Sequence, residues 1–142
     1  KKPTTINSMG SDILQKNIHD STITVIKYPN NICGHIFVSW LHPFKEHRFV
    51  IIGSKGMISF EDSLENKPLI FYDRTIKWEN GYPSPVNGKM KNIKYDFKMP
   101  LEEELKYFIK HLDGTPIKVG DSKNAIEVME ILEKSTEKLY EN

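Results

Sequence analysis

The spacing of apolar residues changes once along this chain, and that change limits what it can fold into. From Thr4 to Phe97 apolar and polar residues tend to alternate; from Pro100 onward apolar residues recur every three or four positions. A period of two puts successive side chains on opposite faces of a strand, and a period near 3.6 draws a stripe along a helix. Strands that come first, followed by helices instead of alternating with them, predict an α+β fold. That fold is a mostly antiparallel β-sheet with helices packed on one face. At 142 residues the chain has the length of one domain, residues 1–142, and can bury a core.

Residues 22–28 (TITVIKY) are rich in β-branched side chains and stop at Pro29-Asn30-Asn31, a turn signal. Residues 32–41 (ICGHIFVSWL) restart as a strand, so the two form a hairpin, with Ile36, Val38 and Trp40 on one face. Residues 48–53 and 57–61 flank Ser54-Lys55-Gly56 and predict a second hairpin. Residues 69–73 and 75–79 read as a third pair, residues 93–97 as a late strand and residues 4–8 as an early one. Between them, residues 82–91 (YPSPVNGKMK) read as an exposed loop long enough to be functional.

Pro100 suits a first helical turn, and Glu102, Glu103 and Glu104 complement the positive end of a helix. Leu101, Leu105, Phe108, Ile109 and Leu112 make its stripe, and Gly114 its stop. A second helix begins near Asp121 or Ser122, either of which can cap it, with a stripe of Ala125, Val128, Met129, Leu132 and Leu139. Glu130 and Lys134 stand at a favourable spacing for an ion pair.

Composition narrows function. Twenty Lys and Arg against nineteen Asp and Glu leave a net charge of +1, which disfavours nucleic-acid binding by bulk charge. No apolar run is long enough to span a bilayer, and no secretory signal opens the chain. Cys33 is alone, so no internal disulfide or multi-cysteine zinc site is expected, and a cytoplasmic protein is. The Lys-Lys-Pro start reads like the interior of a longer polypeptide. No glycine-rich dinucleotide fingerprint, phosphate loop or nucleophile elbow is present.

The densest polar cluster runs from Ser39 to Arg48 (SWLHPFKEHR), in a connection between strands. His42 and His47 have the chemistry of metal ligands, but no matching carboxylate pattern accompanies them, and Lys45 and Arg48 repel a cation. No metal site is expected. Lys45 and Arg48, with one or both histidines, can instead hold an anion such as a phosphate, since arginine offers a planar fork and lysine a point charge. The plainer alternative is a solvated connection with surface ion pairs. Trp40 and Trp78 are expected to be core, stacking on a base or sugar being the other use of an indole. His111, beside the first helix's stripe, is expected to be structural.

Asp20, Ser39-Trp40-Leu41-His42-Pro43-Phe44-Lys45, Arg48, Ile52-Gly53-Ser54-Lys55-Gly56-Met57 and Phe60-Glu61-Asp62 together resemble the Gfo/Idh/MocA oxidoreductases. Within these the chain is most similar to the UDP-N-acetylglucosamine 3-dehydrogenase-like branch. Met99-Pro100-Leu101-Glu102 at a helix start, Gly114-Thr115-Pro116, and a final helix begun at Asp121 agree with it. His19-Asp20 departs from the Glu-Asp frequent in relatives. The resemblance implies a protein of two domains: a Rossmann domain that binds NAD(P), and a C-terminal α+β domain that helps to form the substrate pocket and makes oligomer contacts through its sheet. Only the second is matched; the Rossmann domain and the catalytic Glu-Lys-Pro lysine would lie upstream, and Lys1-Lys2-Pro3 is not that motif.

The resemblance therefore implies the substrate-binding and oligomerisation domain of an NAD(P)-dependent sugar or nucleotide-sugar oxidoreductase, inactive by itself. His42, Lys45 and Arg48 are expected to be polar substrate-side or interface groups, Trp40 their packing neighbour, and Tyr82 and Lys89 contributions from the loop. No catalytic, cofactor-binding or metal residue is expected in this chain. The expected partners are a sugar or nucleotide-sugar substrate and further copies of the chain, as a dimer or tetramer, with no nucleic acid or membrane. The alternative is a stand-alone, non-catalytic module that dimerises through an open sheet face.

Overall fold

A computed structural model describes residues 2–141. The chain is α+β, as its periodicity predicts. Among the described residues seven strands precede two helices: β1 (Thr5–Ser11), β2 (Ser21–Tyr28), β3 (Ile32–Ser39), β4 (Arg48–Gly53), β5 (Gly56–Glu61), β6 (Leu69–Glu79), β7 (Tyr82–Asn92), α1 (Pro100–Lys110) and α2 (Ser122–Tyr140). The strands form two antiparallel sheets, β1-β2-β3 and β4-β5-β6-β7. The chain divides into two compact units, of which the second is Pro43–Pro100 and the first is the remainder.

In the first unit the expected hairpin forms between β2 and β3, closed by Asn30 and Asn31 at φ 66° and 58°, a region asparagine tolerates better than most residues. Ile6 lies opposite Ile26 and Ser8 opposite Thr24, so these residues share one face of the sheet. α2 packs against β1. Ile6, Ser8 and Ile26 are buried, and the Ser8 and Thr24 hydroxyls satisfy each other at 2.9 Å. Asp121 caps α2 by accepting from the Asn124 amide at 2.7 Å. The stripe expected of α2 is not its most covered face. Val128, Met129 and Leu132 are exposed, while Glu127, Ile131, Ser135 and Leu139 are half-buried. Glu130 is held by Lys2 at 2.8 Å. The stripe of α1 is exposed along its length.

In the second unit β4 and β5 pair as expected, with Arg48 opposite Glu61 and Phe49 opposite Phe60. The next two expectations need correction. Residues 69–79 are one continuous strand, not a pair, and the register shift between Tyr72 and Arg74 is a β-bulge in β7, where Gly88 and Lys89 oppose Asp73. Gly88 lies in that bulge; a Cβ there would lie 2.0 Å from the Asp73 carbonyl oxygen. Residues 82–91 are not a loop but most of β7. The turn before them is Asn80-Gly81, with φ 53° and 82°, the pattern of a two-residue hairpin turn. Pro83 and Pro85 are tolerated because β7 is a sheet edge, where a missing N–H need not break a ladder. Residues 93–99 form no strand, although the Ile93 amide still bonds the Leu69 carbonyl at 2.8 Å.

Both faces of this second sheet are apolar. Phe49, Ile51, Ile58, Phe60, Leu69 and Phe71 share one face, and Val50, Ile52, Met57, Ile70, Tyr72 and Met90 the other. None of them is fully buried, and every residue of β4 is exposed.

Candidate functional site

A groove of about 630 Å³ lies within the second unit. Three segments build it. The start of β4 supplies His47, Arg48 and Phe49; the end of β5 and the turn after it supply Phe60, Asp62 and Lys67; the extended segment before α1 supplies Tyr95 to Lys98 and Pro100. The β4–β5 ladder sets Phe49 beside Phe60, and its last rung is the Asp62 amide donating to the His47 carbonyl at 2.8 Å. The His47 amide in turn donates to the Ser63 hydroxyl at 3.2 Å. The third segment is held without a ladder. The Tyr95 hydroxyl donates to the Lys67 carbonyl at 2.7 Å, and the Tyr95 and Phe60 rings meet edge to face at 6.3 Å. The Lys67 ammonium stands 5.9 Å from the centre of the Phe97 ring.

Charges of both signs alternate around these rings. Lys67 bonds the Asp62 carboxylate and donates to its carbonyl at 3.2 Å. His47 Nδ1 stands 3.9 Å from the same carboxylate. The Lys67 hydrogen bond holds the Asp62 carboxyl below its ordinary value, with help from the charges of Lys67, His47 and Lys45; partial desolvation opposes this. Arg48 is bonded to Glu46 and lies 3.8 Å from Glu61. Arginine and lysine are thus already met by carboxylates. The groove offers aromatic faces, hydrogen-bond acceptors and donors in alternation, which suits a hydroxylated ring better than a bare phosphate.

The expected site residues fall in different places. Arg48 lines the groove, and Lys45 is near enough for its charge to act on Asp62. His42 belongs to the first unit, its ring 6.4 Å from Phe37. Trp40 is also there, and the expectation that it is core is overturned. It is 88% exposed, because it lies just beyond β3, where its amide donates to the Asp20 carbonyl at 2.8 Å. It lines a smaller recess with His19, Asp20, Thr22, Val38 and Ser39. Trp78 is likewise 73% exposed on β6. Tyr82 and Lys89 were expected on a loop over a pocket; they lie on β7, Tyr82 opposite Glu79, and neither lines the groove. Sequence reasoning missed Asp62, Lys67, Tyr95 and Phe97 as site residues. The spacing of Tyr95 and Phe97, two apart beside Asp96, was the available signal.

Asp20 is buried, accepting from the Leu14 amide at 2.7 Å, so it braces the chain before β2. Among the described residues no group of three or more His, Cys, Asp or Glu is placed to hold a metal, and no helix is long and apolar enough to cross a membrane.

Residues 1–59 match the family model of the GFO/IDH/MocA C-terminal domain. This supports the family that the Ser39–Lys45 and Ile52–Met57 motifs resemble, and the two antiparallel sheets with two helices are consistent with such a domain. Within the GFO/IDH/MocA stretch lie Asp20, Trp40, His42, Lys45 and Arg48; Phe60, Asp62, Lys67 and the segment at Tyr95 lie beyond it. Neither a curated protein nor a solved structure matches the chain.

Proposed function

We propose that this chain is the substrate-binding and oligomerisation domain of an NAD(P)-dependent sugar or nucleotide-sugar oxidoreductase, acting in the cytoplasm. The family match at residues 1–59 supports the domain type. The observation that carries the substrate class is the groove, where the Phe49, Phe60, Tyr95 and Phe97 rings are edged by Arg48, Asp62 and Lys67. Ring faces stack against the apolar face of a sugar, Asp62 accepts hydroxyl hydrogens, and Arg48 and Lys67 meet a phosphate once they exchange their present carboxylate partners.

In this reading NAD(P) and the acid–base lysine belong to a separate domain, and neither helix start here is arranged for an anion: α1 opens with Glu102 and Glu103 in its first turn, and the Asn124 amide at the start of α2 is taken by Asp121. The test is titration of the chain with UDP-N-acetylglucosamine and with NADH, followed by calorimetry. Saturable binding of the sugar nucleotide that Arg48→Ala weakens is expected; saturable binding of NADH contradicts the reading.

The uncovered sheet faces of the second unit favour a second reading, a non-catalytic assembly module. The coding sequence before Lys1 separates the two: a glycine-rich βαβ unit followed by Glu-Lys-Pro supports the enzyme, and a start codon supports the module.

A further inference from the structure

The recess at Trp40 lies wholly within the first unit and holds about 290 Å³. Its floor is one rung of the sheet, with Gly10 opposite Thr22 and Thr22 opposite Val38. The Trp40 amide bonds the Asp20 carbonyl, so Asp20 and Trp40 stand two residues further along the same face. His19 closes one side. Its ring lies over Gly10, where a Cβ would come within 2.5 Å of it, and meets Tyr140 edge to face at 5.2 Å.

Asp20 is only 6% exposed. Its Oδ2 accepts from the Leu14 amide at 2.7 Å. Its Oδ1 has no partner among the described residues, and no lysine, arginine or histidine among them pairs with the carboxylate. No buried side-chain polar atom described is both sealed from solvent and unbonded, so Oδ1 is open, and the recess is the opening that Asp20 lines. A buried carboxylate is costly unless a charge of opposite sign meets it. The missing partner is therefore a cation.

The walls say which kind. The Trp40 indole is 88% exposed beside the carboxylate, and the face of an indole attracts a cation. Calcium takes six to eight oxygens, whereas the side chains here offer one carboxylate and the Thr22 and Ser39 hydroxyls, the latter already accepting from the Leu41 amide at 3.1 Å. Val38 and the indole suit carbon instead. A primary ammonium fits both demands: it donates N–H to Oδ1 and lays its carbon chain on the apolar wall.

We propose that this recess binds an organic ammonium group, with Asp20 Oδ1 accepting an N–H and the Trp40 ring lying against the charge. This goes beyond the proposed function, whose groove is built from residues of the other unit.

The test uses the whole chain with Trp78→Phe, which leaves Trp40 as the only indole. Butylammonium, 1-butanol and acetyl-lysine amide are titrated separately at constant ionic strength. Trp40 emission should change saturably with butylammonium, with a midpoint of about 1 mM. 1-Butanol matches its shape without its charge and should bind at least about tenfold more weakly. Asp20→Asn keeps an oxygen for the Leu14 amide and should weaken butylammonium at least about tenfold, with unchanged far-ultraviolet circular dichroism. If Asp20→Asn fails to fold, the comparison with 1-butanol still decides. Tighter saturation by acetyl-lysine amide assigns the cation to a polypeptide side chain, and tighter saturation by butylammonium to a free amine; either supports the site. Equal binding of 1-butanol overturns the cation and leaves an apolar recess. No saturation by either cation overturns the site.

Discussion

The two units bury their strands differently. The sheet of the first unit has one face on α2, and there Ile6, Ser8 and Ile26 are buried. The sheet of the second unit has apolar residues on both faces and buries none of them fully. A strand with one buried face alternates; a strand meant to be covered on both faces reads as a continuous apolar run, as Phe49 to Ile52 does. The difference teaches that the first unit contains a core of its own, whereas the second is written as an inner layer. Its present order rests on ladder hydrogen bonds, turn geometry and the Asp62–Lys67–Tyr95 cluster.

The comparison breaks most visibly at glycine. Gly88→Ala, in the β7 bulge of the second unit, should cost about 3 kcal/mol or more, because the new methyl meets the Asp73 carbonyl. Gly34→Ala, in β3 of the first unit, has open space around it and should change stability by less than about 0.5 kcal/mol. Chemical denaturation of both variants checks the pair; equal losses would deny that the second unit depends on backbone geometry.

Next come the apolar side chains. Ile26→Ala should cost about 2–4 kcal/mol, since Ile26 is 6% exposed. Ile51→Ala, at 52% exposure, should cost under about 1 kcal/mol in dilute, unassociated chain. A large loss at Ile51 under those conditions would mean that β4 is covered within one copy. Asp121→Ala, which removes the cap of α2, should cost about 1 kcal/mol and fray the helix, read by circular dichroism.

The smallest effect is that of pH at the groove. The Asp62 carboxyl is held below 3.8 by Lys67, so its contribution is full above that value and is lost as pH falls through the lower, folded value. Carboxyl NMR titration should find Asp62 ionising below an ordinary aspartate, and the shift should vanish in Lys67→Ala. An ordinary midpoint in the parent chain would remove the ion pair from the account of the groove.

Much of this was legible in the sequence. The change of period gave fold class, and the end of β2, the bounds of β4 and the starts of both helices followed from turn and cap chemistry at Asn30-Asn31, Gly56, Pro100 and Asp121, whereas α1 ends at Lys110, short of the stop expected at Gly114. The misreadings share a cause. Pro83, Pro85 and Gly88 look like loop residues, and each is tolerated in β7 by a feature that only pairing supplies: a free edge for the prolines, a bulge for the glycine. Asn80-Gly81 was the local signal for that hairpin. Of the site, Arg48 and the neighbouring charge of Lys45 were legible. The groove's far wall was not, because the two-residue spacing of Tyr95 and Phe97 reads as a strand, whereas Tyr95 is held by one hydrogen bond and one ring contact and Phe97 stands under Lys67.

The proposal is that the groove beside β4 takes a sugar nucleotide and that NAD(P) binds to a separate domain. Amide chemical shifts of the labelled chain, titrated separately with UDP-N-acetylglucosamine and with NADH, test it most directly. Saturable shifts are expected at Arg48, Phe60, Asp62 and Phe97 with the sugar nucleotide and none with NADH. Saturable shifts with NADH, or shifts with the sugar nucleotide that spare those four residues, would contradict it.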